Sequence, residues 1–460
     1  MKILGLLLFL AASGLGADST LARSIFRQLI EINTTDSSGG TTAAAEAMKQ
    51  RFLDAGFPPE DLTIAGATAQ KGNLVVRLHA AESGSLKPVL IICHLDVVEA
   101  RGEDWTTDPF QLVEKDGYFY GRGTQDMKSN DAILVATLIR FKQERFRPDR
   151  DIILALTAGE ESGIDNGVDW LLKNRRDLVD GEFVLNPDMG GVTTEQGKAV
   201  HVDVEASEKT YADWELTTRN PGGHSSRPVP DNAIYHIANA LVKLERTPFP
   251  FELNDVTRAY FQQVAKLEKG QRREDILAIL RPTPDAAAIA RLSEDARFNA
   301  TMRTTCVATR LEAGHANNAL PQSAHAIVNC RILPGHTPEE IKNELARLFA
   351  DPQIEMRRAD PVPGKKPIGA VTLRPDVFRA LERVADGMWP GAPVIPVMET
   401  GASDSVYTMG AGLPSYGISG LEIDRDDVRA HGKDERVRVA SFDRATDFYY
   451  RFLKALCAAQ

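Results

Sequence analysis

His94 and Asp96 stand one residue apart at the end of the apolar run Val89-Leu90-Ile91-Ile92-Cys93. In a strand, residues i and i+2 share a face. A carboxylate there can take the second ring N–H of an imidazole, fixing its tautomer and raising its basicity toward a metal. A core histidine satisfied by its neighbour is the other reading of the pair. Asp126 follows Gly121-Arg122-Gly123-Thr124-Gln125 and precedes a helix, where an N-cap is the commonest job for Asp, although Ser129 is also available for it. Glu160 and Glu161 are adjacent carboxylates between Gly159 and Gly163. Like charges so close repel unless a loop holds them solvated. Asp188 follows Asn186-Pro187, as a turn Asp also would. His431 lies in the polar stretch 429–436. Acids converging in this way require cations to neutralise them. Two His and three carboxylates, one of them shared, give each of two Zn²⁺ ions three protein ligands and leave room for a bridging water. A further carboxylate then serves as general base. Two-metal hydrolytic sites, with ions about 3.5–4 Å apart, work in this manner.

The elements that must position these residues are legible as apolar runs. Residues 89–93 read as a strand buried on both faces, which suits a parallel sheet. Residues 151–157, 183–185, 394–398 and 414–419 are further short apolar segments, and 73–78 is another strand. His94, Glu160, Glu161 and Asp188 all fall at or just past the C-terminal ends of such strands, the edge where open α/β sheets bind ligands. Helices are expected over 19–31, from Thr41 or Thr42 to residue 55, and over 129–142, 376–386 and 441–456. The pattern changes near Ala206: a half-buried strand over 210–218, a helix over 232–244, a charged and mostly helical insertion over 253–312, a strand over 324–333, a helix over 338–349 and a short strand over 354–358. The fold class expected is α/β, a mixed and mostly parallel sheet in a catalytic domain with a smaller α+β domain inserted. The divisions are 1–16 as a leader, 17–206 and 363–460 as the catalytic domain, and 207–362 as the insert.

A chain of 460 residues is too long for one ordinary core. Its formal charge of −10 argues against nucleic-acid binding. Lys2 and the apolar run 3–12, followed by Gly14-Leu15-Gly16, read as a signal peptide too short to span a bilayer. Export to a periplasm or the medium is expected, with a mature chain starting near Ala17 and no membrane association after processing. No Cys follows the run, which argues against a lipid anchor. Cys93, Cys306, Cys330 and Cys457 show no C-x-x-C spacing, and the sequence does not choose a disulfide pair among them.

These motifs, in this order, resemble the co-catalytic zinc exopeptidases and amidohydrolases that include glutamate carboxypeptidase, aminoacylase, carnosinase-type dipeptidases and succinyl-diaminopimelate desuccinylase. The resemblance covers nearly the whole mature chain. It implies that Asp126 bridges two Zn²⁺ ions, with Mn²⁺ or Co²⁺ as substitutes. His94 and Asp188 complete one metal site, and Glu161 and His431 the other. Asp96 orients His94, Glu160 is the general base, and the Asp126–Met127 peptide is cis. The inserted domain resembles the family's ferredoxin-like lid, which also forms a homodimer. Gly222-Gly223-His224-Ser225 resembles the loop whose His polarises the scissile carbonyl in a partner's site. A turn His is the other reading of His224. Asn318 and Arg331 match positions that hold a substrate carboxylate, though Arg331 also reads as an exposed strand Arg. Gly401 matches a loop that presents its backbone N–H to substrate. The insertion over 253–312 departs from shorter lids and leaves dimer geometry open. An Asp rather than a Glu at 188 favours peptide substrates.

The resemblance therefore implies an exported exopeptidase of carboxypeptidase or dipeptidase type, cleaving a small peptide next to a free carboxylate. An N-acyl-amino-acid amidohydrolase is the alternative. A silent binding protein on this scaffold is expected to lack a ligand or the base, and none is missing here. His79, His201, His236, His315, His325 and His336 are read as ordinary.

Overall fold

The structure is a computed structural model that describes residues 12–81, 86–360, 366–369 and 371–458. Most of the stretch 1–16 expected as a leader, and the boundary expected at 362/363, lie outside those residues. The chain divides into two units: one of residues up to Ala206 with Leu373–Val397 and from Ser403 onward, the other of Ser207–Thr372 with Met398–Ala402.

The first unit is built on a ten-stranded sheet. Its centre is four parallel strands in the spatial order Ile152–Thr157, Val89–His94, Phe183–Asn186 and Ser415–Gly417. The first three are buried at every residue, which is why they appear in the sequence as unbroken apolar runs. Antiparallel strands flank them: Gly72–Leu78 beside Ile152–Thr157, and Lys198–Glu208 beside Ser415–Gly417. Because the central strands are parallel, their C-terminal ends lie along one edge. Helix Lys128–Gln143 is buried along nearly its whole length and packs against helices Ala12–Glu31 and Val439–Leu456. Phe26 stacks on Phe442 at 4.9 Å between ring centroids, with Phe119 edge-on to both. The opposite face carries Leu90, Ile92, Ile153 and Ala155 against Val168 and Leu171 of helix Gly167–Asn174.

The second unit is a four-stranded antiparallel sheet, in the spatial order Thr305–Ala313, Ser323–Ile332, Thr210–Arg219 and Glu355–Arg358. With helices Ala233–Arg246 and Pro338–Phe349 this is a β-α-β-β-α-β arrangement of ferredoxin-like type. Burial alternates strictly along Ser323–Ile332, and its buried side chains meet Ile237, Leu244, Leu345 and Phe349 of the two helices. Four helices between Asp255 and Thr301 form the insertion, closed by contacts of Phe261 with Tyr260 and Phe298.

The insertion is helical only to Thr301. Residues 305–312, expected within it, instead belong to the edge strand Thr305–Ala313, where no residue is fully buried, so no apolar alternation marks it in the sequence. Cys306 faces Cys330 across this strand pair, and the two form a disulfide. Neither Asp126 nor Ser129 caps helix Lys128–Gln143; Met127 is its N-cap residue, with no side-chain cap bond.

Candidate metal centre

His94 ends its strand, Glu160 and Glu161 follow the neighbouring strand on one side, and Asp188 follows the strand on the other. Parallel pairing alone therefore gathers these side chains at one sheet edge. Asp126 enters from the turn before the buried helix, and its peptide bond to Met127 is cis. His431 enters from the loop before the last helix, with left-handed backbone at φ 62°.

The Asp126 carboxylate is divided between two imidazoles. Its Oδ1 lies 3.0 Å from His94 Nε2, and its Oδ2 lies 3.1 Å from His431 Nε2. His94 Nε2 is also 3.6 Å from Asp188 Oδ1, and His431 Nε2 is 2.9 Å from Glu161 Oε2. Two atoms bound about 2.0–2.2 Å from one tetrahedral zinc are separated by about 3.3–3.6 Å, so these spacings approximate the edges of two coordination shells that share Asp126. Donor atoms of His94, Asp126 and Glu161 also lie within 4.8 Å of one another. Glu161 Oε1 is buried with no hydrogen-bond partner, a cost that a cation would remove. Among the described residues, the ion-pair partners of Asp126, Glu161 and Asp188 are imidazoles alone. The donor set and the orphaned oxygen fit two divalent cations.

The same crowding shifts the charges of the metal-free site. Burial opposes the His94 imidazolium, but the carboxylates of Asp126 and Asp188 outweigh it and hold the ring well above its usual range. Asp126 and Glu161 push His431 up to about 10. Desolvation, with Asp188, Asp404 and Glu161 nearby, pushes the Glu160 carboxyl well above the usual carboxylate range.

Asp96 acts differently from the expected imidazole clamp. His94 Nδ1 lies 2.9 Å from the Asp96 backbone carbonyl and 4.0 Å from its carboxylate. The carboxylate instead accepts the backbone N–H groups of Glu160 and Glu161, at 3.3 and 3.1 Å. Main-chain Asp96 thus fixes the His94 tautomer, and side-chain Asp96 fixes the turn that carries both glutamates.

Three residues without an assigned role in the sequence surround the centre. Glu435 is fully buried and accepts hydrogen bonds from the turn before Asp126. The Gln125 side chain bonds to the loop that carries His431. Asp404 is buried, receives Asn166 Nδ2 at 2.6 Å, and is pushed up to about 7 by burial. Only a charged residue inside the run after His431 hints at Glu435; nothing local marks the other two.

The remaining expected residues belong to the second unit. Gly223 and His224 pair with Leu320 and Ala319, and Ser225 N–H donates to the Asn318 carbonyl, which brings His224 and Asn318 onto neighbouring segments. His224 Nδ1 accepts the Ser226 backbone N–H at 3.1 Å. The ring proton therefore sits on Nε2, and the ring is exposed. Arg331 lies over the Tyr211 ring at 4.7 Å and donates to the Thr400 carbonyl at 3.3 Å, beside Gly401. A Cβ added at Gly401 would meet nothing within 4 Å, so packing does not demand glycine there.

A parallel sheet edge carrying His94, Glu160, Glu161 and Asp188, met by an Asp126 carboxylate shared between His94 and His431, presents the donor set of a metal-dependent hydrolase. The chain belongs to the peptidase family M20/M25/M40, whose model matches residues 90–455. It is 28% identical over 378 residues to the probable carboxypeptidase S-like 2 of Dictyostelium discoideum, covering 80% of this chain and 72% of that protein. It is equally 28% identical over 387 residues to the N-fatty-acyl-amino acid synthase/hydrolase of Homo sapiens, covering 80% and 74%. Its fold matches an M20 family metallo-carboxypeptidase from Sulfolobus solfataricus with a TM-score of 0.65 at 15% identity, covering 95% of this chain and 99% of that one. The protein is an enzyme of the metallo-peptidase and amidohydrolase type.

Proposed function

We propose that the protein is a di-zinc exopeptidase of carboxypeptidase or dipeptidase type, which hydrolyses the amide next to a free carboxylate. The observation that carries this reading is the division of Asp126 between His94 and His431, with Asp188 and Glu161 completing the two sets. Zinc ions held there would supply Lewis-acid polarisation of the scissile carbonyl and acidify a bound water at neutral pH. Glu160, next in sequence to Glu161 and held through its backbone by Asp96, takes a proton from the attacking water. As the C–N bond breaks, it passes that proton to the leaving nitrogen, so the products are a carboxylate and a free amine. His224, with its proton on the exposed Nε2, is suited to donate to the developing oxyanion. Arg331, with Asn318 and the Gly401 loop, is suited to hold the substrate's free carboxylate.

Hydrolysis of N-acyl amino acids is the second reading, favoured by the name of the human relative. Both substrate classes present an amide beside a carboxylate. A panel of dipeptides and N-acyl amino acids, run with added Zn²⁺, Mn²⁺ and Co²⁺, separates the two. Turnover of dipeptides alone supports the peptidase, and turnover of acyl amino acids alone replaces it.

We also propose that the protein is exported and dimeric. The apolar run over residues 3–12, read as a leader, and the Cys306–Cys330 disulfide support an oxidising compartment. The exposed edge strand Thr305–Ala313, carrying Val307 and Leu311 outward, supports pairing with a second copy. Sedimentation velocity of the purified protein tests the dimer.

A further inference from the structure

The turn that carries Asp126 and the loop that carries His431 satisfy each other's polar groups. Glu435 is completely buried, an expensive place for a carboxylate without partners. Its Oε2 accepts Arg122 Nη1 at 2.6 Å and Gly123 N–H at 3.1 Å, and its Oε1 accepts Gln125 N–H at 2.6 Å and Asp126 N–H at 3.0 Å. The last of these is the backbone of the shared ligand itself. In the opposite direction, Gln125 Oε1 accepts the N–H groups of Arg429 and Ala430, at 2.7 and 3.0 Å, immediately before His431. Gln125 Nε2 donates to the carbonyls of Asp427 and Arg436, at 3.1 and 2.8 Å, on either side of His431. Arg122 Nη2 reaches the His431 carbonyl at 3.3 Å.

We infer that Glu435 and Gln125 form a reciprocal latch that sets the affinity of the metal site holding His431. Neither residue is catalytic; both act by positioning Asp126 and His431. His94 and Asp188 lack such a device: His94 ends a central strand, and Asp188 stands two residues past another, where its N–H donates to Asn186 Oδ1 at 3.2 Å. His431 sits on a loop with left-handed backbone, and the latch joins that loop to the bridging carboxylate. Removing it therefore loosens one of the two ions. The inference rests on the two-metal reading proposed above.

The test titrates Zn²⁺ alone into the chelator-stripped full chain, against a chromophoric competitor. Wild type, Glu435→Gln and Gln125→Ala are compared, with circular dichroism confirming that each is folded. Wild type is expected to take up two ions. Each variant is expected to keep one at wild-type affinity and to bind the other about 10–100-fold more weakly. Excess Zn²⁺ then restores kcat with KM unchanged, which a general structural defect would not do. Two ions bound as in wild type by the folded variants, or both ions weakened equally, overturns the inference. Should Glu435→Gln fail to fold, Gln125→Ala decides it. A wild-type protein that takes up no second ion defeats the two-metal reading itself, and the latch with it.

Discussion

His431 Nε2 lies 3.1 Å from Asp126 Oδ2, and this contact joins a loop near the end of the chain to the turn that opens helix Lys128–Gln143. The other oxygen of the same carboxylate serves His94. One side chain therefore fixes the spacing between two ligand sets. Of the four ligands that are not shared, His431 is the one that does not follow a central strand. His431→Ala is expected to reduce metal content from two ions to one per chain while leaving the fold intact. Metal analysis with circular dichroism checks this.

Glu160→Gln keeps the side chain's shape and removes its basicity. The backbone bond to Asp96 remains, so the turn and Glu161 stay in place. The expected result is a fall in kcat of about 10²–10⁴-fold with metal content unchanged. Undiminished turnover in this variant would remove Glu160 from the mechanism.

Much of this centre is legible in the sequence. The strands carrying His94, Glu160 and Asp188 are buried on both faces, so each announces itself as an apolar run with a polar terminus. Strand Lys198–Glu208 is not legible in the sequence because its buried C-terminal half includes Glu205 and Glu208, charges that break an apolar pattern. Thr305–Ala313 was hidden for the opposite reason: an exposed edge strand has no core face to write into the sequence. Glu435 and Gln125 act on backbone groups far away in the chain, and no local spacing encodes such bonds. Asp96 stands out in the sequence by its spacing from His94, yet its carboxylate serves the glutamate turn, a choice that only the packing of two strand ends decides.

Arg331 is expected to affect binding more than turnover. Charge-assisted hydrogen bonds contribute about 1.5–3 kcal/mol, so Arg331→Ala should raise KM about 10–100-fold for substrates with a free carboxylate. The same substrates carrying an amidated terminus should lose little. Equal losses for both would show that Arg331 acts through Tyr211 and Thr400 rather than through substrate.

The Cys306–Cys330 disulfide closes a loop with a sequence separation of 24. Chain-entropy arguments put its stabilisation at about 3 kcal/mol. The double variant Cys306→Ser/Cys330→Ser should therefore show a lower Tm by calorimetry, and reductant should lower the wild-type Tm alone. Cys93 and Cys457 are buried and unpaired, so they do not confuse the comparison.

Lys209 gives a pH dependence with a definite sign. Its side chain is fully buried and donates to the Arg303 carbonyl at 2.7 Å. Burial, with Arg331 and Arg303 nearby, pushes its pKa from 10.5 down to about 7. Between those two values the unfolded chain holds a proton that the folded chain has released, so stability from this group rises with pH across that window. Below it both states are protonated, and the full penalty of a buried ammonium applies. Lys209→Met should flatten this slope, with a gain in Tm at pH 6 relative to its effect at pH 10. An unchanged slope would show that Lys209 stays charged in the fold.

The most direct test is metal stoichiometry measured alongside hydrolysis. Purified protein is stripped with a chelator, reconstituted with Zn²⁺, and analysed by mass spectrometry for bound metal while dipeptides and N-acyl amino acids are assayed. The account predicts two ions per chain, loss of turnover on stripping, and recovery on reconstitution. Turnover that persists in stripped protein containing no metal would contradict it.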